Sequence, residues 1–204
     1  MTAVRPLRRE DSQAATRTAL LDAAEALILE NSMPGLSLRA VCARAGFTQG
    51  AFYSNFASRE DLLLAVMERN LEERVRTFGE MTLDFQAMTF DQTIAQIGEW
   101  LATVSDRHEW ARMAIELRLE AVRNPAFARA IEAAEQRIDL LFAERIDDLV
   151  AHFGLTPRFR STEIVEALLV LWRGLALREE GIGRTLPMAD IFIACMRAML
   201  GEPQ

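Results

Sequence analysis

Between Thr48 and Asn55 the chain reads TQGAFYSN, a run of small and hydrogen-bonding residues around one large apolar residue, Phe52. A glutamine amide can pair with an adenine edge through two hydrogen bonds in a major groove, so Gln49 is a candidate base reader. Ala51 offers a methyl group to a thymine methyl. Thr48, Tyr53, Ser54 and Asn55 carry groups that donate to phosphate oxygens, as does Ser37 upstream. Arg39 and Arg59 add positive charge on either side of the run, and Arg17 adds more from further upstream. A side chain at position 50 would hold the run away from a groove, which gives Gly50 a purpose. The chemistry on offer is recognition of base edges and phosphates rather than bond making.

Local elements must hold these groups. Ser37 suits an N-cap, and Leu38, Val41, Cys42 and Ala45 follow at helical spacing to give one buried stripe. Gly46 stops that helix, because the stop needs a positive φ that glycine adopts without penalty. Phe47 reads as an apolar plug in the turn. Thr48 then caps a second helix running to about Asn55, which buries Phe52 and leaves its polar neighbours outward. Two short helices around a glycine turn suit insertion into a DNA major groove. The plainer alternative is a solvated helical face, with Thr48 and Ser37 serving only as caps and Gly50 merely tolerated.

The order of parts over about residues 15 to 66 resembles the tetracycline-repressor (TetR) family of transcriptional regulators. Thr16, Leu20, Ala23 and Ala24 fall on a first helix, and Gly35-Leu36-Ser37-Leu38 enters the second. Ala45-Gly46-Phe47-Thr48, the run Phe52-Tyr53-Ser54-Asn55-Phe56, and Ser58-Arg59-Glu60-Asp61-Leu62-Leu63 follow in register. The resemblance implies a double-stranded DNA operator and an effector cavity among the middle helices. Three positions depart from the family's usual residues. Cys42 stands for Ala at a buried site, while Gln49 stands for Lys and Asn55 for His on the DNA-facing side. The last two bear on which operator is read.

Composition bounds the rest. Half of the 204 residues are hydrophobic, and with only 10 glycines and 6 prolines the chain favours an all-α protein. The sequence has no lysine, so its basic charge is entirely arginine, which excludes the usual phosphate-binding loop and any lysine Schiff base. The net charge of −7 divides unevenly: residues 1–59 carry +2 and residues 60–204 carry −9. DNA contact therefore belongs at the N-terminal end, where phosphate attraction is local. Cys42 and Cys195 lie far apart with no CxxC partner, so neither a disulfide framework nor a zinc motif is expected. His108 and His152 are isolated in sequence and no GxSxG or HExxH occurs, so no catalytic residue, metal ligand or cofactor is assigned. With no signal-like segment and no apolar stretch long enough to span a membrane, the expectation is a soluble, cytoplasmic protein.

About nine helices are expected. Residues 1–11 form a mobile arm with Arg5, Arg8 and Arg9, followed by helices over about 12–30, 38–45, 49–55 and 58–80. Amphipathic stretches follow at 89–105 and 109–123. A helix opening at Asn124-Pro125 runs to Phe153, and two more cover 162–180 and 187–200. Residues 12–59 are expected to form a three-helix DNA-binding domain. Helix 4 joins it to a ligand-binding and dimerisation domain over residues 60–204.

In that second domain Trp100, Trp110, Met113, Leu117, Phe142 and Trp172 are candidate effector contacts, with Arg118 and Arg173 on otherwise apolar helices. Core packing and salt bridging are the plainer roles. The last two helices carry wide apolar faces: Leu168, Trp172 and Leu175, then Met188, Ile191, Phe192, Cys195 and Met199. Paired with those of a second copy they would form a four-helix bundle with Gly174 permitting close approach, as a two-fold operator requires. The sequence thus reads as a homodimeric, effector-responsive DNA-binding regulator, most simply a repressor. The rival is a helical ligand- or partner-binding protein that no longer reads DNA.

Overall fold

The computed structural model describes the backbone of residues 9–80, 87–105, 108–182 and 188–201. Among the described residues the regular structure is wholly helical: α1 (Arg9–Asn31), α2 (Leu38–Ala45), α3 (Gln49–Tyr53), α4 (Arg59–Glu80), α5 (Phe90–Ser105), α6 (His108–Arg123), α7 (Pro125–Phe153), α8 (Ser161–Ile182) and α9 (Met188–Leu200), with a 3-10 turn at Met33–Gly35. The all-α expectation holds, as does the number of helices among these residues.

Helix ends follow local chemistry. Thr89 and Gln92 cap α5 reciprocally: the Thr89 amide donates to the Gln92 side chain at 2.8 Å and the Gln92 amide to Thr89 Oγ1 at 3.3 Å. Asn124 Oδ1 accepts from the Phe127 amide at 3.1 Å, with Pro125 opening α7. Gly154, at φ 64°, stops that helix. Three ends differ from expectation. The first helix opens at Arg9, so only the Arg5 and Arg8 part of the expected arm lies outside the described residues. α3 closes at Tyr53, leaving Asn55 beyond it. α8 continues through Gly181 to Ile182, because neighbouring turns carry a helix past one weak former.

The chain divides into two compact units, residues 1–69 with 116–130, and residues 70–115 with 131–204. The division differs from a cut at residue 59, since the first half of α4, the end of α6 and the start of α7 join the N-terminal helices. Polar contacts explain the grouping: Glu116 Oε2 accepts from the Met33 amide at 3.0 Å, and Glu120 holds Arg59 at 2.7 Å. Within this unit α1 packs on α2 and α3. Leu20, Ile28, Val41, Phe52, Phe56, Leu62 and Leu63 are fully buried there. Arg69 ties α4 to α1 through Asp22 at 2.7 Å and Glu25 at 2.8 Å.

The second unit is built around a separate core. Phe90, Ile94 and Ile97 of α5 pack with Leu149, Ile164, Leu168, Trp172, Phe192, Met196 and Leu200. Gly98 lets α5 approach α9 closely, since a Cβ there would sit 2.3 Å from Ile193 Cδ1.

Candidate nucleic-acid interface and ligand cavity

Ser37 Oγ accepts the Ala40 amide at 3.1 Å and opens α2; Thr48 Oγ1 accepts the Ala51 amide at 3.2 Å and opens α3. Each hydroxyl spends a lone pair on its cap and keeps a proton to donate, so the capping role and a phosphate contact are compatible. Gly46 takes φ 74°, and the Phe47 amide returns to Cys42 O at 3.0 Å, which closes the turn between the helices. Phe47 itself is a correction in part: at 37% exposure it is mostly covered but is not a buried plug. The fully buried side chains around the turn are Val41, Cys42 and Phe52, and backbone bonds close it.

On α3, Phe52 is buried and its ring meets Tyr53 edge-on at 5.5 Å and Phe56 at 5.5 Å. That anchor turns Thr48, Gln49, Gly50, Tyr53 and Ser54 outward, all exposed, with Ala51 half-buried. A Cβ at Gly50 would meet only Thr48 Oγ1, at 3.7 Å, so the fold itself does not require glycine there. Ser54 Oγ donates back to Gly50 O at 2.9 Å, and Asn55 Nδ2 donates to Ala51 O at 2.8 Å. These bonds stiffen the end of α3; Asn55 keeps a second amide proton for a phosphate, whereas Ser54 must turn its hydroxyl away from Gly50 O to donate to one.

The cations are held differently from one another. Arg39 is exposed on α2. Arg17 donates to Asn55 O at 2.9 Å and lies 4.3 Å over the Phe56 ring, clasping the exit from α3 to α1. Gln13 adds a second clasp to Ser54 O at 3.2 Å. Arg59 donates through Nη1 to Glu120 and through Nε to Leu36 O at 3.3 Å, so part of its guanidinium faces inward. Glu116 and Glu120 were not singled out from sequence. Their i, i+4 spacing marks one helical face, but nothing local says that the face meets Met33 and Arg59.

The second unit contains a cavity of about 100 Å³, walled by Arg74, Phe78, Ile97, Trp100, Phe142, Arg145, Ile146, Leu149, Val165, Leu168, Leu169, Trp172, Phe192, Met196 and Leu200. Of the residues expected to contact an effector, Trp100, Phe142 and Trp172 are on this wall. The others are not. Trp110 packs against the surrounding core, and Met113 is buried outside the wall. Leu117 and Arg118 belong to the first unit, the former buried and the latter exposed. Arg173 is buried and pairs with Glu135 at 3.2 Å, which is the salt-bridge alternative. Arg74 and Phe78 of α4 were missed because helix periodicity marks a buried face without saying what it surrounds.

Burial also bears on the residues expected to pair with a second copy. Leu168, Trp172 and Phe192 are buried within the chain itself, as cavity wall and core, so their side chains are not open to a second copy. Leu175, Ile191, Cys195 and Met199 are half-buried, and the Met188 side chain lies outside those described. The outward stripe of α8 is instead Glu163, Glu166, Ala167, Val170 and Gly174, and that of α9 includes Ala194 and Ala198. Val170 is 60% exposed.

Residues 20–66, the segment containing α2, the turn and α3, match the family model described as bacterial regulatory proteins, tetR family. The HTH-type transcriptional regulator UidR of Escherichia coli is 25% identical over 189 residues, covering 91% of each chain. Among solved structures, Salmonella enterica GusR aligns with a TM-score of 0.76 at 20% identity, over 91% of this chain and 95% of that one. The multidrug binding protein EbrR, complexed with imidazole, aligns with a TM-score of 0.62 at 22% identity, over 92% and 96%. The two structures speak to the fold, and the Escherichia coli relative is by name a transcriptional regulator. No helix among the described residues is long and apolar enough to cross a membrane. The capped, exposed α3 lies inside the segment that matches the tetR family model, and along most of its length the chain is similar to an HTH-type transcriptional regulator.

Proposed function

We propose that the chain is a cytoplasmic repressor that binds a two-fold operator as a homodimer and leaves it when a small molecule occupies the second unit. The observation that carries this reading is the outward set Thr48, Gln49, Gly50, Tyr53 and Ser54 on a helix anchored by buried Phe52. Gln49 reads a base edge and Ala51 a thymine methyl. Ser37, Arg39, Thr48, Tyr53, Ser54 and Asn55 bind phosphates, helped by the donors that Arg17 and Arg59 keep free of their internal bonds. A compact unit with one recognition helix reaches one half-site, so specific binding needs two copies.

The second copy docks on the outward stripe of α8 and α9. Ala167, Gly174, Ala194 and Ala198 are small and exposed there, and they flank exposed Val170. Small side chains allow two helix pairs to approach closely, and Val170 supplies apolar area at the centre. The cavity supports the effector part, since a void beside aromatic side chains is a ready ligand site.

One experiment addresses the assembly. Val170→Asp adds a charge at an exposed position, so the monomer fold survives while a dimer would bury that charge. Sedimentation should give a dimer for the native chain and a monomer for the variant, with operator affinity lost alongside. A native monomer at micromolar concentration that still binds a two-fold operator site would overturn the dimer reading. The rival, a helical ligand-binding protein that ignores DNA, would show no salt-dependent binding to any duplex.

A further inference from the structure

We propose that the cavity takes a small, neutral, single-ring aromatic molecule carrying one hydrogen-bond acceptor, held against Trp172. This deepens the effector reading and rests on it for its biological role, though the binding itself can be tested alone.

Size comes first. The cavity is about 100 Å³, somewhat below the roughly 150 Å³ engineered void known to admit benzene. One ring with a small substituent is therefore the upper range, reached by modest shifts of the wall. The wall suits a ring: Phe78 meets Trp100 edge-on at 5.0 Å and Phe142 edge-on at 4.9 Å, and these three line the space together with Trp172. Edge-to-face aromatic groups accept a further ring in the same geometry.

Charge comes second. Arg74 and Arg145 are on the wall, so a cation is disfavoured even beside so many aromatic faces. An anion gains little in return. Arg145 pairs with Asp148 at 3.2 Å, and Arg74 and Arg173 share their field with Glu135, Asp139 and Glu166. A polyhydroxylated ligand would surrender its water bonds to a wall made mostly of carbon. A neutral molecule remains.

The acceptor comes third. Trp172 is 4% exposed, and its indole N–H is buried with no hydrogen-bond acceptor. A buried donor left unmade is costly, and the wall shift that admits the ring must also bring this N–H within reach, so that a ligand oxygen satisfying it gains what the same shape without oxygen cannot.

The test uses the full chain labelled with 15N-tryptophan and four probes: acetophenone, its acceptor-free shape analogue cumene, benzoate and methyl glucoside. Acetophenone should shift the Trp172 indole N–H resonance and bind about tenfold tighter than cumene. Benzoate and methyl glucoside should bind more weakly than either. Trp172→Phe should bind acetophenone and cumene alike. If that variant does not fold, Trp100→Phe and Trp110→Phe identify the Trp172 signal in the native chain by elimination. Equal binding of acetophenone and cumene, a preference for benzoate or the glucoside, or no aromatic binding at all would overturn the proposal. Operator affinity measured with and without acetophenone then judges the effector reading separately. A ligand that binds the cavity and leaves DNA affinity unchanged would sink that reading and leave this one standing.

Discussion

The guanidinium of Arg59 lies 2.7 Å from the carboxylate of Glu120, a residue 61 positions further along the chain. The pair is partly buried, with side-chain exposures of 28% and 17%. It fastens the opening turn of α4 to the last turns of α6, while Arg59 Nε reaches back to Leu36 O just before α2. Arg59 therefore sits between that carboxylate and the face we propose for DNA.

That position gives Arg59 two separable duties. Arg59→Ala should weaken binding to all duplexes alike and reduce the salt slope by about one, as loss of one phosphate contact does. Glu120→Gln should lower stability by about 1 kcal/mol, the scale of a partly exposed pair, and tighten DNA binding by removing a competing anion. Fluorescence anisotropy across a salt series, with thermal melts beside it, checks both. An unchanged salt slope for Arg59→Ala would confine this residue to the fold.

Gly50 separates the fold from the interface. A Cβ there meets nothing closer than 3.7 Å within the chain. Gly50→Ala should leave the melting temperature unchanged or raise it, because alanine is the better helix former by roughly 0.5–1 kcal/mol. Operator affinity should nevertheless fall, since the methyl group would stand between α3 and the groove. Affinity equal to that of the native chain would make Gly50 a tolerated residue only.

At Gly98 the opposite holds. Gly98→Ala should destabilise the chain despite alanine's helix preference, and Gly98→Val should cost roughly 1–3 kcal/mol through overpacking. The Cδ1 atom of Ile193 is what a new Cβ would strike. Ile193→Val deletes that atom and should recover much of the loss in a double-mutant cycle of denaturant midpoints. Simple additivity of the two changes would contradict the contact.

Asp139 supplies a pH signature. Burial, then the neighbouring Glu135, hold its carboxyl above the usual aspartate range, against the pull of Arg173 and Arg74. The folded state thus binds a proton more readily than the unfolded one. Stability attributable to this group is fully present below the ordinary aspartate pKa and is lost as pH rises through the raised value. Asp139→Asn should accordingly raise the melting temperature at neutral pH, with the advantage fading toward pH 4. An advantage that grew on acidification would reverse the assignment.

Much of the N-terminal unit was legible because its signals are local. Ser37, Gly46 and Thr48 announce cap, stop and cap within a dozen residues, and the structure uses all three in those ways. Phe52 likewise read as the buried anchor. What failed to show is non-local. Phe47 looks like a buried plug until the fold shows its ring partly exposed. Arg59 looks like a free cation until α6 brings Glu120 beside it. In the second unit, periodicity correctly marked Leu168, Trp172 and Phe192 as apolar faces. A helix surrounded by neighbours has more than one such face, however, and the pattern does not say which neighbour, cavity or second copy each one meets. Of the residues left outside, Gly174 is legible as a point of close approach, whereas Ala167 carries little hydrophobic signal and Val170 lies off the apolar stripe.

The central claim is that α3 reads base edges in double-stranded DNA. It is tested most directly by measuring native and Gln49→Ala binding to a duplex selected from random sequence by the full chain. The account predicts steep salt dependence for both proteins. It also predicts a loss of roughly 1–3 kcal/mol for the variant, with base choice relaxed at one position in each half-site. Unchanged affinity and unchanged base preference in Gln49→Ala would contradict it, as would a native chain that selects no duplex at all.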